Sequence, residues 1–269
     1  MAQNGSLATA SLSKFVDGLQ STGRYTFTRS EAEQATHTDG IGMEAALRRL
    51  RVSQRITSPR RGFHVIVPME YRNPGAPPPS WFIGDLMQFL DQPYYVGLLT
   101  AAALHGAAHQ QPMAFQVVTD RPTRKARAGR ATIAFHVARN LPRIPTTSMP
   151  TDTGSMLVST PEATAFDLVR FASAAGHLSN VATVLRELAE QLSATKLEKL
   201  APEHALPDVQ RLGYLMDTMG QSSKVEGLAH WLYGRRVRPS LLGRGRGLSA
   251  AQPDAKWRII PNVEVELDR

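Results

Sequence analysis

Residues Thr26 to Pro68 read TFTRSEAEQATHTDGIGMEAALRRLRVSQRITSPRRGFHVIVP. Tyr25 and Phe27 alternate with polar neighbours, the period of a short strand. Thr28 offers an N-cap hydroxyl and Glu31, three residues on, completes a capping box, so a helix is expected over Arg29 to Thr36. Asp39-Gly40 marks a turn. A second helix is expected from about Ile41 to Arg51, with Met43, Ala46, Leu47 and Leu50 on its inner face. Its outer face carries Glu44, Arg48 and Arg51, with Arg49 toward the edge. Ile56 opens a strand, Pro59 to Gly62 turn it, and Phe63 to Val67 return it. Upstream, Leu12, Phe15, Val16 and Leu19 share one helix face, and Gly23 is the expected stop.

Helix, turn, helix and then a ribbon with Arg60-Arg61-Gly62 at its tip is the order of a winged helix-turn-helix. In that module one helix lies in the DNA major groove and the basic hairpin lies beside it. Affinity for DNA needs cations along the phosphates, and sequence reading needs long donors at base edges. Arginine serves both, because its planar fork grips a phosphate or a guanine edge. The expected DNA-contacting residues are therefore Arg29, Ser30, Thr38, Glu44, Arg48, Arg49, Arg51, Arg55, Arg60 and Arg61. Arg29 and Ser30 open a helix, whose free N–H groups favour a phosphate. Recognition helices present bases with their N-terminal part, which assigns Thr38, Ile41 and Glu44 to bases and the later arginines to the backbone at least as much. A solvated arginine face on an ordinary helical domain has the same composition; the order of elements argues against it.

Beyond this stretch the composition changes. The run Arg72-Asn73-Pro74-Gly75-Ala76-Pro77-Pro78-Pro79-Ser80 cannot be a helix interior or a central strand, because proline removes donors and fixes φ. The expected division is a winged domain over 1–71, a Pro-rich linker over 72–80 and a larger C-terminal domain over 81–269. In that domain Leu86, Phe89 and Leu90 fit a helix, and an alanine-rich helix is expected through Tyr95 to Ala108. Strands are expected at Phe115 to Thr119, Thr132 to Val137 and Met156 to Ser159. Thr160, Pro161 and Glu162 suit a helix start. Helical periodicity then runs through Leu178 to Leu192, Val209 to Met219 and Val225 to Leu232, and Arg258 to Leu267 alternates like a terminal strand. The fold class is α+β, a mixed α/β chain with a helical middle.

The chain has 269 residues and a formal charge of +8, with a pI near 10.1. Such a balance favours polyanions. At 42% hydrophobic residues it can fill packed cores. It has no cysteine, which excludes disulfides and Cys-based zinc fingers. No signal peptide and no membrane-length apolar segment is visible, so the expectation is a soluble cytoplasmic, nucleoid-associated protein with no membrane partner. Arg121, Arg124, Lys125, Arg127 and Arg130 form a possible secondary basic surface; a solvated hairpin connection is the plainer account. Arg235, Arg236, Arg238, Arg244 and Arg246 form a third group, with Gly243, Gly245 and Gly247 interleaved. It lacks the preceding strand and following helix of a phosphate loop. His105 and His109 have metal-ligand spacing, but Gly106 stands where a zinc hydrolase carries its glutamate. Trp81, Trp231 and Trp257 read as core anchors. No catalytic residue, metal or cofactor is called for. The alternatives are an enzyme acting on nucleic acid or nucleotides, and a DNA-free interaction protein.

Taken together, the residues resemble the antitoxins of the abortive-infection E, type IV toxin–antitoxin systems. In the first domain the resemblance rests on Phe27-Thr28, Leu47-Arg48-Arg49-Leu50, Ile56, Arg61-Gly62-Phe63-His64-Val65 and Pro68. In the second it rests on Tyr94 to Gly106, Gln111-Pro112, Val117-Val118-Thr119, Ser159 to Val169 and Trp257 to Asn262. It implies a winged domain that represses the operon at double-stranded operator DNA. It also implies a C-terminal domain that supports neutralisation of a co-encoded nucleotidyltransferase-like toxin, without a stable complex being required. The chain departs from the pattern at Gln54, where a glycine commonly ends the recognition helix in a left-handed conformation.

Overall fold

A computed structural model describes residues 11–107, 112–244 and 251–266. The sequence features at residues 1–10, His109, Gln111, Gly245, Arg246, Gly247 and Leu267 lie outside the described residues. In chain order the first elements are α1 (Leu12–Ser21), β1 (Thr26–Thr28), α2 (Arg29–Thr36), α3 (Gly40–Val52), β2 (Ile56–Arg60) and β3 (Phe63–Ile66). Then come α4 (Ile83–Phe89), β4 (Tyr94–Val96), α5 (Leu98–Leu104), β5 (Phe115–Thr119), β6 (Ala126–Ala128), β7 (Ala131–Val137), β8 (Thr146–Thr151) and β9 (Gly154–Ser159). The helical middle holds α6 (Pro161–Arg170), α7 (His177–Leu188), α8 (Ala194–Leu200), α9 (Leu206–Thr218) and α10 (Ser222–Tyr233). Two short strands, β10 (Ser240–Leu241) and β11 (Ile259–Ile260), follow. The fold is α+β, as the periodicities require.

The chain forms two compact units. The first draws its described residues from Met1–Pro93, Thr123–Phe135 and Met149–Met156; the second draws them from Tyr94–Pro122, His136–Ser148 and Leu157–Arg269. In the first unit, Leu12, Val16, Phe27, Ala32, Met43, Leu47, Leu50, Ile56 and Ile66 make one core. Phe15 meets Phe27 edge to face at 5.6 Å. The capping box forms as its spacing dictates: the Thr28 hydroxyl accepts from Glu31 N at 3.2 Å, and the Glu31 carboxylate accepts from Thr28 N at 2.6 Å. His37, with φ of 49°, ends α2 and lets the chain turn into α3.

Strands order as β1-β3-β2, all antiparallel. The β2–β3 register slips between Thr57 and Arg60, so Ser58-Pro59 sits in a bulge, where a proline costs no ladder bond. Gly62, φ 85°, closes the wing tip in a conformation that favours glycine, and its carbonyl accepts from Arg29 N at 2.8 Å. These elements have the order and connections of a winged helix-turn-helix. The helix end at Gln54 reaches the left-handed region without a glycine: φ is 54°, and Arg55 N donates to Leu50 O at 2.9 Å.

The Pro-rich run lies within the first unit. Its Ala76 is buried, and Pro74 O accepts from Arg130 N at 2.8 Å. A Cβ at Gly129 would fall 2.2 Å from Pro74 O, so only glycine admits this approach. Trp81 donates to Asp152 at 2.7 Å and packs on Tyr25 and Tyr71.

In the second unit, β4 pairs antiparallel with β5 and parallel with β9. The alanine-rich helix is shorter than its composition predicts. Tyr95 and Val96 pair with Val118 and Val117 as a strand, and Gly97 separates them from α5. Helix α6 is the buried axis of this unit, with Ala163, Phe166, Leu168 and Val169 in its core. Its N-cap is Thr160, as expected. Trp257 is buried against Gly213, where a Cβ would lie 2.0 Å from the indole, and it donates to Asp217 at 2.8 Å. The terminal strand is limited to Ile259–Ile260, because Pro261 interrupts the alternation.

Candidate nucleic-acid interface

Helix α3 buries Met43, Leu47 and Leu50 and turns its other face to solvent. That solvent face carries an apolar stripe as well as charge: Ile41 is 90% exposed and Val52 78%, with Ala45 exposed between them. Apart from Arg60, the expected site arginines divide into two groups. Arg29 binds Glu33 at 2.7 Å and Glu44 at 3.4 Å, and donates to Gly40 O at 3.3 Å. Arg51 takes the other oxygen of Glu44 at 2.5 Å, so Glu44 bridges the two helices of the motif through two cations. Arg55 binds Asp17 and donates to the Ser13 hydroxyl at 2.5 Å. These three are held in ion pairs. Arg48, Arg49 and Arg61 are exposed and have no partner among the described residues. Ser30 is exposed at the first turn of α2; Thr38 is half-buried, its hydroxyl donating to Thr36 O at 3.1 Å.

Arg60 behaves unlike its neighbour. Its guanidinium donates to the carbonyls of Arg124 and of Lys125, the latter at 3.1 Å, and lies 5.5 Å over the Phe135 ring. Burial lowers its pKa. Arg60 thus clamps the wing to the β6–β7 hairpin, and the adjacent Arg61 is left at the tip. The clamp also brings Arg124, Lys125, Arg127 and Arg130, all exposed, into the unit that carries the wing. Arg121 falls in the other unit, 3.7 Å from Asp120. Sequence spacing hid this grouping, since some 60 residues separate the partners.

Between α3 and the wing lies a cleft of about 780 Å³, lined by Arg29, Glu44, Arg51, Arg60, Arg61 and His64 among others. His64 forms its floor. The ring is buried, its Nδ1 lies 2.8 Å from the Ser58 hydroxyl, and its Nε2 is buried without a partner among the described residues. Burial first, then the field of Arg51, lowers its pKa to about 4, so the ring is neutral at pH 7. Periodicity marked His64 only as a strand residue; its place under the arginines needs the fold. An electropositive cleft flanked by an exposed helix face and a free arginine at a hairpin tip can take polyanionic backbone on its rim and base edges along α3.

Among the described residues, no group of His, Asp and Glu could hold a metal ion, and no helix is long and apolar enough to cross a membrane. His105 instead places Nε2 2.8 Å from Ser159 O. Residues 95–218, most of the second unit's core, match the family model of the AbiEi antitoxin C-terminal domain. Residues 95–218 are thus similar to an AbiEi antitoxin domain. The AbiEi match runs from within β4 through α5 and β5 to the end of α9, and it supports an antitoxin role in a toxin–antitoxin system. One solved structure is similar over nearly the full length: the crystal structure of RV2827C protein from Mycobacterium tuberculosis. It is 18% identical, covers 92% of this chain and 89% of its own, and has a TM-score of 0.63, a likeness of fold. No curated protein matches.

Proposed function

We propose that this antitoxin belongs to a type IV system and represses its own operon by binding operator DNA through the winged helix-turn-helix. The observation that carries the reading is the set of arginines without a partner among the described residues: Arg48 and Arg49 on the exposed face of α3 beside Ile41, and Arg61 on the wing at the cleft whose floor is His64. Arg29 and Arg51 stiffen that surface through Glu44 and set the two helices of the motif against each other. The residues Arg124, Lys125, Arg127 and Arg130 extend the same field beside the wing. Functionally, residues 1–71 read DNA, 72–80 connect, and 81–269 support neutralisation of a co-encoded nucleotidyltransferase-like toxin. Such a repressor works at the nucleoid, and its toxin needs no stable contact with it.

The test is electrophoretic mobility of the full chain on its own promoter duplex, beside the variant with Arg48, Arg49, Arg60 and Arg61 changed to alanine. The parent shifts the promoter and the variant does not. Undiminished operator affinity in the variant would show that the DNA surface lies elsewhere. Co-expression with the product of the neighbouring reading frame tests the antitoxin half: growth is rescued by the full chain, and also by the quadruple variant.

A further inference from the structure

Arg235 and Arg236 of the third arginine group and the Trp257-Arg258 motif have no part in the reading above, yet they line one cleft in the second unit. The end of α10 and the turn before β11 enclose an open cleft of about 790 Å³, lined by Tyr233, Arg235, Arg236, Lys256 and Arg258, with Glu226 as its acid. Trp257 closes its base. Arg235 is accounted for locally: its guanidinium lies 3.9 Å over the Trp231 ring and donates to Trp231 O, as a cation does at a helix C-terminus. Lys256 pairs with Asp217 at 2.9 Å. Arg236 and Arg258 have neither an ion pair nor a side-chain hydrogen bond among the described residues, and both are exposed. Tyr233 is 91% exposed at the lip, a large ring turned to solvent.

Arg258 adds an independent pointer. Its φ is 58°, in the left-handed region where glycine is at ease and a long side chain is not. The backbone there asks for glycine, and the chain puts a cation over the cleft instead. Unpaired guanidinium groups spaced around an exposed aromatic face match a phosphodiester backbone whose bases are free to stack. A duplex keeps its bases stacked on one another and offers none to Tyr233.

We infer that this cleft binds a single-stranded polynucleotide, with phosphates on Arg236 and Arg258 and a base stacked on Tyr233. The site is separate from the operator surface, and its ligand is defined by strand state rather than by operator sequence. RNA and DNA strands share this chemistry, and the test tells them apart.

The experiment is fluorescence anisotropy of the full chain with end-labelled ten-nucleotide uridine RNA, thymidine DNA of equal length and a duplex control, at low salt. Y233A, R236A and R258G each weaken strand binding on the order of fivefold or more. Each lost arginine lowers the slope of log affinity against log salt by about 0.7. R258G relieves the strained φ, so its melting temperature is held or raised while binding is lost, which separates the effect from misfolding. R48A/R49A/R61A binds the strands as the parent does while losing the promoter duplex. The uridine arm prevailing names RNA, the thymidine arm DNA, and either supports the site. No strand binding at low salt, strand binding indifferent to all three cleft variants, or strand binding lost only with the α3 and wing arginines would each overturn it.

Discussion

Removing Arg48, Arg49 and Arg61 together should change operator binding in a way that removing Arg29, Arg51 and Arg55 does not. The first three have no partner among the described residues, whereas the second three are held by Glu33, Glu44 and Asp17. A cation already paired within the protein releases little counterion from DNA; an unpaired one releases about 0.9 of an ion per phosphate. Counting Arg48, Arg49, Arg61, Arg124, Lys125 and Arg127, the surface neutralises about six phosphates, and log affinity falls by about 5.4 per decade of salt. Between 50 and 200 mM salt that is a loss of about three decades for the parent and about half as many for R48A/R49A/R61A. Titrating labelled promoter duplex at four salt concentrations gives both slopes. The R29A/R51A/R55A variant should keep a slope near the parent's while losing thermal stability, because its partners Glu44 and Asp17 lose their cations. Equal slopes for the parent and R48A/R49A/R61A, or the larger drop in the ion-paired set, would refute the assignment of free and engaged arginines.

Ile41 projects from the second position of α3 and is 90% exposed, so it is placed to contact thymine methyl groups in the major groove. Replacing single operator thymines by uracil should weaken the parent several-fold at one or two positions and leave I41A indifferent there; a parent with no such position would exclude Ile41 from methyl contact. Gln54 is exposed at φ 54°, a conformation that costs a side chain about 1–2 kcal/mol, against glycine's extra unfolded-state entropy of up to about 1 kcal/mol. Q54G should therefore stabilise by about 0.5–1 kcal/mol in urea unfolding, and a loss of stability would mean that the Gln54 side chain makes a contact of its own. Asp167 is wholly buried, accepts from the Tyr95 hydroxyl at 3.2 Å, and is raised by burial to about 7. Its folded pKa lies above its unfolded one, so its contribution is full below pH 4 and lost as pH rises toward 7, at most about 4 kcal/mol in all. His64 and His204, lowered by burial to about 4 and about 3, act oppositely: their contribution is present above pH 6.5 and lost as pH falls. D167N should thus gain on the parent as pH rises from 5 to 8, and parallel stability curves would show that Asp167 is charged throughout.

Local signals made the winged motif legible. The capping box at Thr28 and Glu31 forms as its spacing predicts, and of the expected inner face Met43, Leu47 and Leu50 are buried while Ala46 is half-buried. The turn expected over Pro59 to Gly62 is tighter, Arg61-Gly62 alone, because Pro59 and Arg60 continue β2 past the bulge. Composition and strand pairing conflict elsewhere in the chain, and pairing prevails. Alanines at 101 to 103 suggested one long helix from Tyr95, but Tyr95 and Val96 are β-formers with partners waiting some 20 residues on at Val117 and Val118. Helix α8 carries no periodic signal: Leu197 and Leu200 are its only buried residues, too few to show a period. The expected strand to Leu267 counted alternation and passed over Pro261.

The site was less legible than the fold for a physical reason. A sequence states that an arginine is present; it does not state whether a carboxylate or a carbonyl has already taken it. Arg60 and Arg61 are neighbours of the same type at one hairpin tip, and the structure gives them opposite situations. Arg60 reaches back to carbonyls more than 60 residues away and is partly desolvated; Arg61, at the tip, has no partner among the described residues. Arg48 and Arg51 share the outer face of α3, and Glu44 engages only the second. The difference between a clamp and a contact is therefore set by tertiary partners, and it bears on any alanine scan of this surface. A loss on changing Arg60 mixes DNA affinity with the loosening of the β6–β7 hairpin, whereas a loss on changing Arg61 does not. Comparing R60A with R61A in both melting temperature and salt slope separates the two: R60A should move the first and R61A the second.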